Sequence, residues 1–482
     1  MSHDQPAPAS SRRETLHGYG GRHHIRAAVA RPRSRGELRE TLLRAAREGR
    51  RVTIRGGGQS IDDRALGGDL VISTARLDSI EVDAAAACVT VGPGATWGAI
   101  LRRLPRGLVP HVVVTTSAAT AGGTLSADCI SRFSPCSGRE SRHVTRFELM
   151  TVDGRTLVCA REGEHADAFA AVTAGLGYVG VIVSVTYALL DLRALLVVAP
   201  PGAELRVETD VRVRAGFDAI VDDVLTARPA TGEPEAVYAV ATLDERGAVH
   251  RSRYVARGGP LRPLPIARPP DLPRLVLECL MWPAPVGRAM WRIILGGYYR
   301  LRTSFLDDLA SFTFCMDANA RAVALVRGLG GEVYLVQQTF VIPAAPAARA
   351  ASVTRVAGFM RAAARRLTEG GLSPTLFDVL YLPPDAGRDP GGVAVTVAFV
   401  TTERARVDAL AAILIELSAA CRSAGGHVHL VKDVHARPAD LAAMHARRLD
   451  QLFAVRTRLD PRGVMRNDFF DRVLAAARVD AA

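Results

Sequence analysis

The sequence predicts an α+β fold, and three observations carry that prediction. Short apolar runs punctuated by glycine, at Leu70–Ile72, Ser79–Val82 and Cys88–Val91, have the length and turn chemistry of strands. Leu149–Val152 and Leu157–Val158 flank Asp153-Gly154, a hairpin signal. Val333–Ile342 and Val393–Val400 read as central strands, and Val353–Leu367 and Val407–Cys421 read as amphipathic helices. No period of about 20–50 residues recurs, which argues against a solenoid or propeller.

In chain order, residues 1–13 read as a disordered tail and residues 14–194 as a first domain. In that domain Ser34 caps a helix bearing Leu38, Leu42, Leu43 and Ala46 on one face, and Arg51–Arg55 forms a strand. Pro93-Gly94 precedes a helix from Thr96 to Leu104, and Val179–Tyr187 closes the domain. Residues 195–425 form a second, strand-and-helix domain. It contains a Pro/Arg-rich connector, Arg262–Arg274, and an apolar segment, Leu275–Leu301, with Trp282 and Trp291. Residues 426–482 are a C-terminal segment with a strand at His427–Lys432 and a helix at Pro438–Arg458.

With 482 residues, 48% of them hydrophobic, and a mean hydropathy of +0.12, the chain can bury a core and is not a disordered protein. A net charge of +12 favours anionic partners, but aromatic content of 5% without a clustered basic face argues against nucleic-acid binding. Seven cysteines without a C-x-x-C pair suggest neither a disulfide framework nor zinc. Arg22-His23-His24 and the alternation of His427 and His429, with His435 nearby, lack the carboxylate or thiol support of a metal site. Arg12-Arg13 has a partial twin-arginine look with no apolar region behind it, and no run reaches the ~18 apolar residues of a membrane span. The expected location is cytoplasmic, with peripheral membrane contact through Arg262–Arg274 left open.

Two segments are built for close approach of backbone. Gly56-Gly57-Gly58 leaves a strand as a phosphate-binding loop would, although the spacing is not G-x-G-x-x-G and no helical pattern follows; a tight turn is the alternative. Thr115 to Ser126 holds eleven small residues among twelve, suited to a large flat ligand held by main chain, or to a small-residue strand packed under a helix. A third feature is compositional: Lys432 is the one lysine among 61 basic residues.

Five motifs, in order, carry a resemblance: Arg55-Gly-Gly-Gly-Gln-Ser60, Val91-Gly-Pro-Gly-Ala-Thr-Trp-Gly98, Gly122-Gly-Thr-Leu-Ser126, Phe147-Glu-Leu-Met-Thr-Val-Asp-Gly154 and Gly175-Leu-Gly-Tyr-Val-Gly-Val-Ile182. Together they resemble the FAD-binding domain of the vanillyl-alcohol oxidase superfamily, also called the PCMH type. Leu16-His-Gly-Tyr-Gly20, Tyr298-Tyr-Arg300, Gln337-Gln-Thr-Phe-Val-Ile-Pro343, Gly425-Gly-His-Val-His-Leu-Val-Lys-Asp433 and Val455-Arg-Thr-Arg-Leu-Asp-Pro461 resemble one branch, the decaprenylphosphoryl-ribose 2-oxidases. The resemblance implies an FAD domain in two sequence pieces around an inserted substrate domain built on an antiparallel sheet. It places Arg55, Gly56, Gly57, Gly58, Gln59, Ser60 and Ile61 on the pyrophosphate, and Thr115, Thr120, Ala121, Gly122, Gly123, Ala127, Asp128 and Ile130 along the flavin. Ile182 and His429 complete the cofactor pocket, and the active-site lysine of the branch falls on Lys432.

The departures are informative. Gln59 stands where many relatives attach FAD covalently through histidine, so the flavin is expected to be non-covalent. Cytokinin dehydrogenases place a catalytic aspartate where Thr115 stands, which disfavours that substrate class. Against the ribose oxidases, Ile61 replaces a tyrosine, Ile130 a histidine, Tyr381 a second pocket lysine and Thr396 a cysteine. The expected activity is transfer of hydride from a hydroxyl-bearing carbon of a small molecule to FAD, with Lys432, Tyr381 and Gln337 as catalytic groups, His429 beside them and no metal. A flavin-dependent C=C reductase using NADPH is the alternative. A separate reductase partner acting on the product is a further expectation from the branch.

Overall fold

The computed structural model describes residues 12–226, 235–258, 303–372 and 376–479, with the single positions 289, 293 and 297. Most of the expected tail, the Arg262–Arg274 connector and nearly all of Leu275–Leu301, with both its tryptophans, lie outside these residues. Arg12 and Arg13, read as tail from sequence, instead open the first strand.

Three sheets organise the chain. The first is formed by β1 (Arg12–His17), β2 (His24–Ala30), β3 (Val52–Arg55) and β4 (Leu70–Ser73), in the order β1-β2-β4-β3. Both β2 and β3 run parallel to β4, and the helix Arg35–Arg47 connects β2 to β3, since strands that share a parallel partner need a crossover. Ser34 starts that helix by accepting the Glu37 amide proton at 3.2 Å, and Leu38 and Leu42 bury its inner face.

The second sheet holds β5 (Ile80–Asp83), β6 (Cys88–Val91), β7 (Leu108–Pro110), β8 (Val144–Met150), β9 (Thr156–Cys159) and β10 (Val181–Asp191). Its order is β5-β6-β10-β8-β9, with β7 also on β10. The C-terminal helix Pro438–Leu459 packs back onto this region. Leu449, Phe453 and Phe470 share one core with Phe147, Phe169 and Tyr178, while Met465 bridges to Val52. Asn467 Nδ2 donates to the carbonyls of Arg64 and Leu66, both at 2.9 Å.

The third sheet is antiparallel throughout: β11 (Glu204–Ala215), β12 (Glu235–Thr242), β13 (Arg246–Arg257), β14 (Ser304–Asp308), β15 (Tyr334–Ile342), β16 (Leu376–Leu382), β17 (Gly392–Thr401) and β18 (His427–His429). The order is β14-β11-β13-β12-β16-β17-β15-β18. The last strand is shorter than the expected His427–Lys432. It extends the sheet past residue 425, so the C-terminal segment begins as an edge strand of the third sheet.

Alternation sorts this sheet into two faces. Odd positions of β12, β16 and β17 (Val237, Phe377, Val379, Tyr381, Val395 and Val397) pack against the helices Arg349–Glu369 and Arg404–Ser423, through Val356, Phe359, Leu410 and Leu414. On the opposite face lie Tyr238, Val240, Asp378, Leu380 and Thr396, with Leu335 and Gln337 from β15. That face looks toward the first two sheets.

Candidate active site

The site forms where two side-chain-poor loops meet this open sheet face. Residues 56–61 follow β3, and residues 115–120 lead into the short helix Ala121–Ala127. A Cβ on Gly56 would strike the Thr120 hydroxyl, and one on Gly57 would run into the Ala118 carbonyl. The two loops are therefore pressed against each other, and that contact, as much as any ligand, demands small residues on both sides.

A cavity of about 290 Å³ opens between the loops and the sheet, and a second of about 90 Å³ shares Gly56, Ser60, Ala65, Gly123, Ala127 and Val431 with it. Of the residues singled out in the sequence, Gly56, Gly57, Gly58, Gln59, Ser60, Ile61, Thr115, Thr120, Gly123, Ala127, Ile130, Gln337, His429 and Lys432 line the larger space. Gly122 and Ile182 line the smaller.

Four lie elsewhere. Tyr381 occupies the helix-side face of β16 in the core with Phe377 and Val379. A strand's side chains alternate, so the position facing the cavity is one residue away, at Leu380. Arg55 donates Nη2 to the His17 carbonyl at 2.9 Å, Ala121 is fully buried, and Asp128 Oδ1 accepts the Ser141 amide at 2.9 Å. These three support the loops from outside the cavity.

The wall bearing Lys432 is held from both sides. Arg64, paired with Asp62 at 2.5 Å, donates to the carbonyls of Leu430 and Lys432. Asp433 pairs with Arg22 and accepts the Gln337 amide at 2.9 Å, while its own amide donates to the Gln337 carbonyl at 2.8 Å. Side chains thus take the Gln337 amide and the Leu430 and Lys432 carbonyls, while the Gln337 carbonyl keeps a backbone partner in Asp433. Burial pushes the Asp433 carboxyl up to about 6, against the pull of Arg22. His429 is buried, and burial, reinforced by Arg139, holds its pKa well below the ordinary histidine value. The Arg22 side chain is 7% exposed, so the Arg22-His23-His24 run is partly interior.

Beneath the loops lies Glu140, 2% exposed. Its Oε1 accepts the Thr124 hydroxyl at 2.8 Å and the Tyr187 hydroxyl at 2.6 Å, and Trp97 Nε1 donates to Thr124 at 2.9 Å. Burial raises its pKa to about 8, so it is a neutral acid at pH 7.

Sequence reasoning missed Asp378, Arg132, Arg139 and Glu140. Asp378 lines the cavity. It had a signal: a lone charge in Leu376–Leu382, on the parity opposite Phe377, Val379 and Tyr381. Arg132 also lines the cavity, with its guanidinium carbon 4.6 Å from the Tyr238 ring centre and 5.0 Å from that of Phe312. Among the described residues no cluster of three His, Cys, Asp or Glu is placed to hold a metal, and no helix is long and apolar enough to cross a membrane.

Two hydroxyls in the cavity wall, Thr116 Oγ1 and Thr120 Oγ1, are buried without a hydrogen-bond partner. Orphaned polar atoms beside a backbone-lined space fit a large ligand that brings its own polar groups. Comparison with known proteins names a cofactor of that size. Residues 26–160 match the FAD binding domain family, which makes FAD the cofactor and the chain a flavoprotein. The chain is 34% identical over 215 residues to cytokinin dehydrogenase 1 of Oryza sativa subsp. japonica, covering 42% of this chain and 38% of that protein. It is 31% identical over 157 residues to L-gulonolactone oxidase of Mus musculus, covering 32% and 35%. An uncharacterized protein of Streptomyces coelicolor is 26% identical over 386 residues, covering 77% of this chain and 97% of its own length. The chain thus spans little more than a third of the two named enzymes. These matches support the vanillyl-alcohol oxidase, or PCMH-type, flavoprotein superfamily.

Proposed function

We propose that this protein is an FAD-dependent oxidoreductase that oxidises a hydroxyl-bearing carbon of a small molecule, with its flavin bound non-covalently in two sequence pieces, roughly 14–194 and 426–476. The observation that carries the reading is a single cavity bordered by the two cofactor loops, by Lys432 and Gln337, and by the polar positions Asp378 and Thr396 of the opposite sheet. Bound FAD supplies a hydride acceptor. The protein's residues do the rest. The Lys432 Nζ takes the hydroxyl proton, and the ammonium so formed stabilises the negative charge left on the donor oxygen. The Gln337 amide orients the donor, and the apolar groups Tyr19, Ile61 and Leu335 exclude water.

Within the superfamily we place the chain nearest the decaprenylphosphoryl-ribose 2-oxidases on its ordered motifs. Ile61, Ile130 and Leu380 in the cavity wall argue for a different donor. The test is anaerobic titration of the flavin-loaded protein with sugars, polyprenyl-linked sugars, sterols and small alcohols. Bleaching by one of these, lost in Lys432→Ala with flavin retained, supports the reading. Bleaching by NADPH and by none of the alcohols refutes it in favour of C=C reduction. Flavin left in the pellet after acid precipitation would refute non-covalent binding.

A further inference from the structure

Arg139 has no part in the function proposed above, yet it is tied into the cavity wall from two directions. Its side chain is 7% exposed. Its Nη1 lies 3.2 Å from Nε2 and 3.4 Å from Nδ1 of His429. Its Nη2 pairs at 2.5 Å with Asp389, in the connection between β16 and β17. The same connection reaches the FAD-binding region twice more, with Arg161 3.3 Å from Asp385 and the Arg388 guanidinium carbon 4.9 Å from the Phe169 ring centre. A loop rooted in the substrate-side sheet thus anchors a cation that touches the cofactor cavity through a histidine.

The contact bears on a protonation state. An Nη1 this near both ring nitrogens lies over the face of the imidazole, and a guanidinium held there repels a positively charged ring, so the contact favours the neutral form. We propose that Arg139 is a positioning residue that, anchored by Asp389, fixes His429 in the cavity wall and acts with its burial to keep the ring neutral. The charge that residues 429–432 present to the cofactor is then that of Lys432 and does not vary with the protonation of its neighbour.

The other charges facing His429 agree with this. Arg448, half-buried on the helix Pro438–Leu459, acts in the same sense as Arg139, as do Lys432 and His427 on the histidine's own segment. Thr339 faces it from β15. Asp389 is the opposing charge; it is engaged by Arg139 and lies 3.8 Å from His427. Asp128 acts on Arg448. Removal of the Arg139 guanidinium therefore does more than delete a donor. It releases Asp389 to favour protonation of the histidine pair.

The proposal needs FAD as the cofactor but no particular donor, so it survives failure of the alcohol-oxidation reading. The test compares wild type with Arg139→Met, Arg139→Lys and the double variant Arg139→Met/Asp389→Asn, all in the full chain. It reads FAD dissociation and the flavin spectrum from pH 7.5 to 5.5. Expected for Arg139→Met is a ratio of its FAD Kd to that of wild type that shifts about tenfold over this range, with a matching spectral transition, while Arg139→Lys stays within about twofold. The double variant, with the carboxylate also removed, loses the transition. A purely structural role would weaken FAD binding equally at every pH, and that result overturns the proposal. Nitrogen-15 shifts of labelled histidine, assigned with His429→Gln, test the premise in wild type, and the Arg139→Met comparison separates Arg139 from burial. A neutral ring at pH 6 is required, and an imidazolium there overturns the proposal even if no Arg139 variant folds.

Discussion

Replacing Glu140 by glutamine perturbs the buried acid beneath the cofactor loops and nothing else of similar charge. The carboxyl is 2% exposed and its pKa is raised from 4.5 to about 8 by burial. Below about pH 4.5 both folded and unfolded chains carry the proton, and the group imposes no pH-dependent cost. Between that pH and about 8 the unfolded chain ionises while the folded one keeps its proton, so stability falls by up to ~1.4 kcal/mol per pH unit. Above about 8 the folded group ionises too and the decline ends. From pH 5 to pH 8 the loss attributable to this residue is thus about 4 kcal/mol as a ceiling. A glutamine carbonyl can accept from Thr124 and Tyr187 as Oε1 does, but it does not titrate. Urea unfolding of both proteins at saturating FAD, at pH 5, 6.5 and 8, should show the variant gaining on wild type by kcal/mol amounts as the pH rises. Parallel pH profiles would refute the claim that Glu140 is a neutral acid in the folded protein.

Other substitutions probe the cavity. Lys432→Ala should lower the rate of flavin reduction by the donor about 10²- to 10⁴-fold in stopped-flow traces while the bound-flavin spectrum persists; Lys432→Arg should restore charge stabilisation but not proton transfer. Gly57→Ala should cost about 1–3 kcal/mol in thermal unfolding and weaken FAD binding, read by fluorescence titration, because the new methyl meets the Ala118 carbonyl. Asp378→Asn should raise the donor KM about tenfold or more with kcat largely kept, since its carboxylate lines the cavity away from the cofactor loops. Tyr381→Phe should leave flavin reduction within about threefold of wild type, as its ring packs on the helix side of the sheet.

What could be read from the sequence was what local grammar encodes. The glycine loop, the hairpin around Gly154 and the helix capped by Ser34 each follow from short-range rules and form where expected, whereas the small-residue segment, read as a possible strand, turns into a short helix from Ala121 to Ala127. Lys432 was legible because a composition that elsewhere uses arginine makes one lysine conspicuous. The strands β11 to β13 were not, since their outward charges, such as Arg212, Arg214 and Arg253, mask the buried Val207, Thr209 and Val249. Tyr381 was misplaced because motif matching tolerates a slip of one position, whereas a pleated strand reverses its faces over that distance. Arg139 and Glu140 stayed hidden for another reason. A charged residue is interior only if its partners are, and Asp389 and Tyr187 are supplied by strands and loops far along the chain.

The return of residues 464–470 to Val52, Arg64 and Leu66 has a consequence for biosynthesis. On the ribosome the glycine loop emerges early, but the Arg64 and Leu66 carbonyls behind it find Asn467 only 403 and 401 residues later, and Arg64 meets the wall carrying the lone lysine 366 to 368 residues after itself. The loop-bearing N-terminal region is thereby without these partners until residue 467 has been made.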